Sequence, residues 1–340
     1  MKVQKNRSDS QCYLIIEPKT LEKIAIMTVT VDNMALGINP KFPKFLSMFR
    51  KHLEQNNLPT TIDTDKLLLG MDIKYLTRDS VLELQVHNVR YIEKLATKYG
   101  IHEYKAVETP MATDVYAILS CNERMEKLGR LKPNNFHYPS MTSELGWFVQ
   151  LFRPDALFAT NLLKRYNHNW NNGHVKLAIR VVKYLHCTKH MIIHRRFNRK
   201  GGGHVIHAEC DSDFAGDKLT RKSVTGCNIF YNGAFLTGMS KQQERIATSV
   251  GEAETIAAAY GSKAVLFVHR VLKEFVTVEQ PIKVWLDNNC ARKYCTYDVC
   301  SDRTKHWDVD LKLQVEYAER GIMEYLHIPS EDNSLDIHTT

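Results

Sequence analysis

Apolar and polar residues along this chain follow three different periods, and each predicts a kind of element. From Leu14 to Ile38 short apolar runs alternate with polar breaks. That period of two predicts a hairpin whose strands, CYLIIE and IAIMTVTVDNMALGI, meet across Pro18 to Lys23. Helical spacing takes over from Pro43 to Asn56, with Phe45, Met48, Phe49 and Leu53 on one face. A second hairpin follows, KLLLGMDIKYL and SVLELQV around Thr77 to Asp79, then a helix from Asn88 to Tyr99. A polar segment opens at Thr109 and Pro110 and continues to Asn135. Three amphipathic helices are predicted after it, Pro139 to Leu151, Pro154 to His168 and Gly173 to Cys187. Their stripes, for example Leu145, Phe148, Val149 and Phe152, read as core packing.

The run Arg195 to Gly203, RRFNRKGGG, is basic and glycine-rich, and it predicts a linker. Beyond it the pattern becomes three strands (HVIHAECD, GCNIFYNG, AFLTGMS), a long helix from Ser249 to Phe275 and a strand IKVWLDN. Then come a helix from Asn289, another from Trp307 to Arg320 and a last strand IMEYLHI. Three antiparallel strands, helix, strand, helices, strand is the order of a mixed five-stranded sheet with flanking helices. The fold expected for the whole chain is α+β or α/β. Its expected units are residues 1–112, 113–195 and 204–340.

A chain of 340 residues that is 44% hydrophobic holds enough apolar mass for more than one core. Its net charge of +8 favours a polyanionic partner, of which phosphate backbones are the commonest. The eight cysteines are scattered, contain no CxxC pair and follow no secretory signal, which points to a reducing compartment, cytoplasmic or nuclear. The densest group, Cys290, Cys295, Cys300 and His306, has wider spacings than zinc-finger loops. No apolar stretch approaches the ~18 residues needed to span a bilayer.

Acids at strand ends carry more chemistry than acids elsewhere, because a sheet edge holds a carboxylate rigidly yet leaves it wet. Asp211 ends the first strand after the linker, Glu254 lies near the start of the long helix, Asp287 ends the fourth strand and Asp336 follows the last. Four carboxylates brought together repel one another and raise each other's pKa. Two Mg2+ ions, or Mn2+, roughly 3.5 to 4 Å apart would neutralise them and activate a water against a phosphodiester. Solvated surface carboxylates are the competing reading of these spacings.

The segments Cys210 to Asp217 (CDSDFAGD), Arg221 to Gly226, Gly251 to Ala257, Leu286 to Ala291, Arg303 to Asp308 and Glu331 to Ile337 resemble, in order and spacing, the ribonuclease H of copia-type retrotransposons. The resemblance implies that Asp211, Glu254, Asp287 and Asp336 bind metal. It matches His306 to a histidine that orients substrate, helps release product or packs. It also covers the first half. Tyr91 to Ala96, Glu108 to Met111, Tyr138 to Gly146, Arg153 to Ala159 and Val181 to Thr188 resemble the segment joining polymerase to ribonuclease, and Leu68 to Ile73 the strand after the polymerase palm. The implied protein is a partial, degenerate reverse-transcriptase palm, a helical connection and a ribonuclease H domain. Its implied partner is an RNA/DNA hybrid, with no membrane and no small-molecule cofactor. Lys218, Arg221 and Lys222, just past the first acid, would grip phosphates or form a solvated turn.

Two departures from the family pattern bear on activity. Where the polymerase hairpin resembles YVDD, this chain has Thr30, Val31, Asp32 and Asn33, so one metal-binding charge is gone. The upstream polymerase acid and fingers have no counterpart in the sequence, and the chain ends four residues past Asp336. The reading in competition with an enzyme is therefore a transposon relic that binds nucleic acid and cuts nothing. Halving a two-metal site removes most of its transition-state stabilisation. The purified chain is expected not to extend a primed template with deoxynucleotides, and measurable extension in a primer assay would overturn this reading.

Overall fold

The computed structural model describes residues 1–30, 33–58, 67–68, 70–78, 81–101, 104–120, 137–198, 203–297, 308–329, 331 and 333–335. The chain begins with an antiparallel meander, β1 (Lys2–Lys5), β2 (Cys12–Ile16), β3 (Lys23–Thr30) and β4 (Asn33–Ile38), in that spatial order. The run IAIMTVTVDNMALGI, predicted as one strand, is thus two, paired from Ala25–Ile38 to Thr30–Asn33. Apolar alternation continues through both strands, so periodicity alone does not reveal the reversal. Strand β1 went unpredicted because all of KVQK but Gln4 is exposed. Both faces of the meander are covered. Ile15, Ile24 and Ala25 pack on Phe45 of α1 (Phe45–Gln55), while Cys12 and Leu14 pack on Phe275.

The middle of the chain forms a second sheet, β5 (Leu67–Leu68), β6 (Met71–Arg78), β7 (Val81–His87) and β8 (Ile193–Asn198), with a layer of helices. These helices are α2 (Val89–Lys98), α3 (Val115–Ser120), α4 (Tyr138–Phe152), α5 (Leu157–Lys164) and α6 (Asn172–Cys187). Strand β8 corrects the predicted linker, whose first four residues pair antiparallel with β7. Its charged residues are matched across the strands rather than solvated. Glu83 on β7 accepts from Arg196 Nε at 3.0 Å and meets His194 Nδ1 at 2.6 Å. Helix α3 lies in the stretch predicted as polar and irregular. The helix predicted over Pro154 to His168 is shorter, with a 3-10 turn at Pro154–Ala156 before α5 and turns after it.

The RPDALFA segment earns its place structurally. Arg153 Nε and Nη2 donate to the two carboxylate oxygens of Asp155 at 2.9 and 2.6 Å, and Nη1 donates to Thr188 O at 3.0 Å. Tyr184 of α6 donates to the same carboxylate at 2.5 Å. One guanidinium fork therefore locks the corner between α4, α5 and the end of α6. Beneath it Tyr138, Met141, Leu145, Leu162, Leu163 and Leu185 are fully buried.

The last unit is a five-stranded sheet, β9 (Ile206–Asp213), β10 (Val224–Tyr231), β11 (Ala234–Gln242), β12 (Ile282–Leu286) and β13 (Met323–His327), in spatial order β11-β10-β9-β12-β13. Strand β10 is antiparallel to both of its neighbours, β9 and β11, and β12 lies parallel to both β9 and β13. With α7 (Val250–Leu272), α8 (Asn289–Thr296) and α9 (Asp308–Glu319), this is the mixed ribonuclease H arrangement that the sequence predicted. Helix α7 lies close on the sheet because Gly261 has no side chain, since a Cβ there would stand 2.1 Å from Cys210 Sγ. Among the described residues no helix is long and apolar enough to cross a membrane.

The three units are tied by polar contacts at defined places. Strand β11 is the sheet's edge, and two of its carbonyls are taken by side-chain amides. Gln150 Nε2 of α4 donates to Gly238 O at 2.9 Å, and Asn161 Nδ2 of α5 to Ser240 O at 3.0 Å. Next to them Arg165 Nη1 donates at 3.0 Å to the buried carboxylate of Asp217, which also accepts from Gln242 Nε2 and from the amides of Leu219 and Thr220. At the far end of α7, Asn6 Nδ2 donates to Val271 O, a carbonyl that the helix end leaves unpaired, and Lys23 Nζ donates to Phe275 O in the turn that follows.

Two expectations follow. Arg165→Met would leave Asp217 buried without its cation, and urea unfolding is expected to register a loss of about 3 kcal/mol, the lower end for a buried pair losing one partner. A loss below about 1 kcal/mol would put the pair among weak surface bridges. His174, buried in the capping box that opens α6, has its pKa pushed down to about 4 by burial. The unfolded chain therefore binds the extra proton first, and stability should fall as pH drops from about 6.5 toward 4. His174→Gln keeps a capping-box residue and should flatten that decline in thermal melts. An unchanged slope would exclude His174 as a source.

Candidate metal centre

Strand β9 runs up the middle of the sheet and β12 runs parallel beside it, so their carboxyl ends open on the same edge. Asp211 lies near the end of β9, opposite Gly226 of β10, and Asp287 follows the last residue of β12. Glu254 comes from the second turn of α7, which packs across β9. The three residues bring one carboxylate oxygen each to within 4.8 Å of one another. Asp211 and Glu254 are buried, 8% and 3% exposed, and Asp287 is half-buried. Two acids are thus held rigidly and the third faces water.

Ser212 orients Glu254. Its hydroxyl donates to Glu254 Oε1 at 2.8 Å and its amide at 3.3 Å, while Glu254 Oε2 is buried with no hydrogen-bond partner among the described residues. Burial, then the charge of Asp211, and more weakly that of Asp287, push the Glu254 carboxyl up to about 9 against the Ser212 hydrogen bonds. Ser249 starts α7 by accepting the Glu252 amide at 3.2 Å, and Glu252 reaches back to the Thr248 amide at 2.8 Å. Together with the close contact at Gly261, this fixes the helix turn from which Glu254 projects. Three carboxylates that each bring a hard oxygen donor to one place, one of them also carrying a buried oxygen without a partner among the described residues, suit a divalent cation such as Mg2+ or Mn2+.

Of the other residues singled out in the sequence, Asp336, His306 and Asp32 lie outside the described residues. Asn33 is exposed at the start of β4 and pairs with Thr30. Lys218 and Arg221 are exposed and Lys222 half-buried in the β9–β10 loop. Lys218 Nζ stands 5.9 Å from the Tyr116 ring centroid, and Arg221 has a left-handed φ of 57°. Cys295 is buried and donates to Gln314 Oε1 at 2.9 Å, while Cys290 is exposed and Cys300 lies outside the described residues. Sequence reasoning missed Ser212, Gly261 and the pair Arg165–Asp217. Ser212 and Asp217 do fall inside the CDSDFAGD run, which was the available signal.

No protein-family profile matches the chain. Curated sequences do. The retrovirus-related Pol polyprotein of transposon RE1 from Arabidopsis thaliana is 25% identical over 333 residues, 98% of this chain and 21% of that protein. The corresponding polyprotein of transposon TNT 1-94 from Nicotiana tabacum is 26% identical over 273 residues, 80% of this chain and 20% of that protein. The chain spans about a fifth of the length of these relatives. Among solved structures, ribonuclease H1 from Halobacterium salinarum matches at 17% identity, covering 39% of this chain and 93% of that one, with a TM-score of 0.28. LC11 ribonuclease H1, solved in complex with an RNA/DNA hybrid, matches at 16% identity over 39% of this chain and 93% of that one, TM-score 0.31. Scores of that size add no weight, and the fold rests on the strand order described above. By sequence, across most of its length, the chain is a relative of the retrovirus-related Pol polyproteins of copia-type transposons.

Proposed function

We propose that this chain carries a metal-dependent ribonuclease H that hydrolyses the RNA strand of an RNA/DNA hybrid, behind a reverse-transcriptase-like half that does not polymerise. The observation that supports it is the convergence of Asp211, Glu254 and Asp287 from three separate elements at the open edge of one sheet. On this reading residues 1–112 are a degenerate palm remnant, 113–195 a helical connection and 204–340 the nuclease. Asp336 is a weaker fourth ligand, and His306 an accessory group near the scissile phosphate.

Each residue has a distinct task. Asp211, fixed in the central strand, sets the position of the site. Glu254 is held by Ser212 through Oε1, which leaves Oε2 without a hydrogen-bond partner among the described residues. Asp287, half-exposed, leaves room on the water side for a phosphate oxygen. Divalent cations, two on this reading, would supply charge neutralisation and a water acidic enough to attack phosphorus. Choice of RNA over DNA would rest on the 2′-hydroxyls and the shape of the wide minor groove.

The test is cleavage of a labelled hybrid in Mg2+ or Mn2+ beside Asp211→Asn and Glu254→Gln, with thermal melts of the same proteins as metal is titrated. The parent is expected to cut the RNA strand, and both variants to fall to background. Metal should also raise the parent's melting point, since a ligand at 100 times its Kd stabilises by about 2.7 kcal/mol, and leave the variants unmoved. A parent that is folded, unshifted by metal and inert on hybrid would sink the nuclease reading in favour of a binding-only relic.

A further inference from the structure

Two adjoining cavities of about 470 and 580 Å3 share Lys241, Gln242 and Tyr260, the first where Gln150, Asn161 and Arg165 meet the end of β11, the second between the end of β11 and α7. Arg165 of the segment after α5 closes one end and Lys263 of α7 lies toward the other. The floor is the end of β11. Lys241 is paired through Thr225 to Ser212, the neighbour of Asp211, two strand spacings or about 10 Å away. The middle of the groove therefore lies about two strands from the candidate metal centre, whose carboxylates line neither cavity.

We propose that this groove binds a single-stranded nucleic-acid segment, a site distinct from the carboxylates. Three features carry it. Each cavity has the volume of a small-ligand pocket, suited to a nucleotide and too small for a duplex. Lys241 Nζ lies over the Tyr260 ring, 5.3 Å from its centroid, so a base that stacks on the ring displaces the ammonium onto its own phosphate. The cations also differ in availability. Arg165 is held by buried Asp217, and Arg245 by buried Glu252 at 3.3 Å, so both are fixed and compensated. Among the described residues the ion-pair partner of Lys241 is Glu244, whose side chain is 89% exposed and easily displaced, and Lys263 has Asp310 at 3.1 Å. A strand laid here stacks on Tyr260 and takes Lys241 and Lys263 on its phosphates.

The experiment is fluorescence anisotropy on the full chain with a labelled oligothymidylate of about 12 nucleotides, within the span single-strand grooves cover, and with a blunt RNA/DNA hybrid as comparison. Tyr260→Leu keeps apolar bulk and loses the stacking face. It is expected to weaken single-strand binding by roughly 5- to 100-fold and to leave hybrid binding and thermal stability at parental values. Lys241→Gln should lower the slope of log affinity against log salt by about 0.7. If both variants bind the single strand like the parent, or both lose single strand and hybrid alike, the inference is overturned. It is equally overturned if the parent binds no single strand. A parent that binds single strand through Tyr260 yet cuts no hybrid would uphold the groove while sinking the nuclease, so the two readings fail separately.

Discussion

The carboxylate of Asp217 is the constraint on which the arrangement of the last two units depends. It is 1% exposed, and within its own loop it accepts two backbone amides, which close the turn after β9. From outside the loop it takes Gln242 at the end of β11 and Arg165 beyond α5. A charge so far from water holds its place only when its acceptors are filled, and here the acceptors are filled from three parts of the chain. The strand that carries Asp211, the edge strand and the connection helices are consequently fixed to one point. Replacing that network by apolar residues would lose the directionality that sets one layer against another, whatever its net effect on stability.

Helix α7 distributes this constraint along the molecule. Its first turns bring Glu254 to the acidic cluster, its middle rests on two cysteine sulfurs because Gly261 has no Cβ, and its last turn and the turn after it accept from Asn6 and Lys23 of the N-terminal meander. The meander whose hairpin resembles a polymerase motif thus has structural work here. With α1 on one face and Phe275 on the other, it is a packed layer rather than an idle remnant.

The five-stranded sheet was legible because each of its strands is a short apolar run bounded by turn residues, and its acids fall where those runs stop. Asp211 and Asp287 sit at strand ends and Glu254 near a helix start, which are positions a periodicity argument reads directly. Other parts were hidden for identifiable reasons. Strand β8 carries Arg195 and Arg196 beside a glycine run, and composition there says linker. Only the facing Glu83, more than a hundred residues earlier, makes it a strand. The split of β3 from β4 is invisible to a pattern that keeps its period through the turn. Ser212 and Arg165 act through partners 42 and 52 residues away, and no local signal encodes such pairs.

The covering of β11 has a practical side. Two amides, Gln150 and Asn161, occupy alternate carbonyls of an edge that would otherwise offer a template to another strand. A fragment cut at the glycine run 201–203, the boundary that composition recommends, would part that edge from both amides. Its tendency would be to pair edge to edge and precipitate. The soluble minimum that preserves this sheet therefore begins upstream of α4, and whoever trims the chain for crystals or assays trims a chaperoning surface along with the linker.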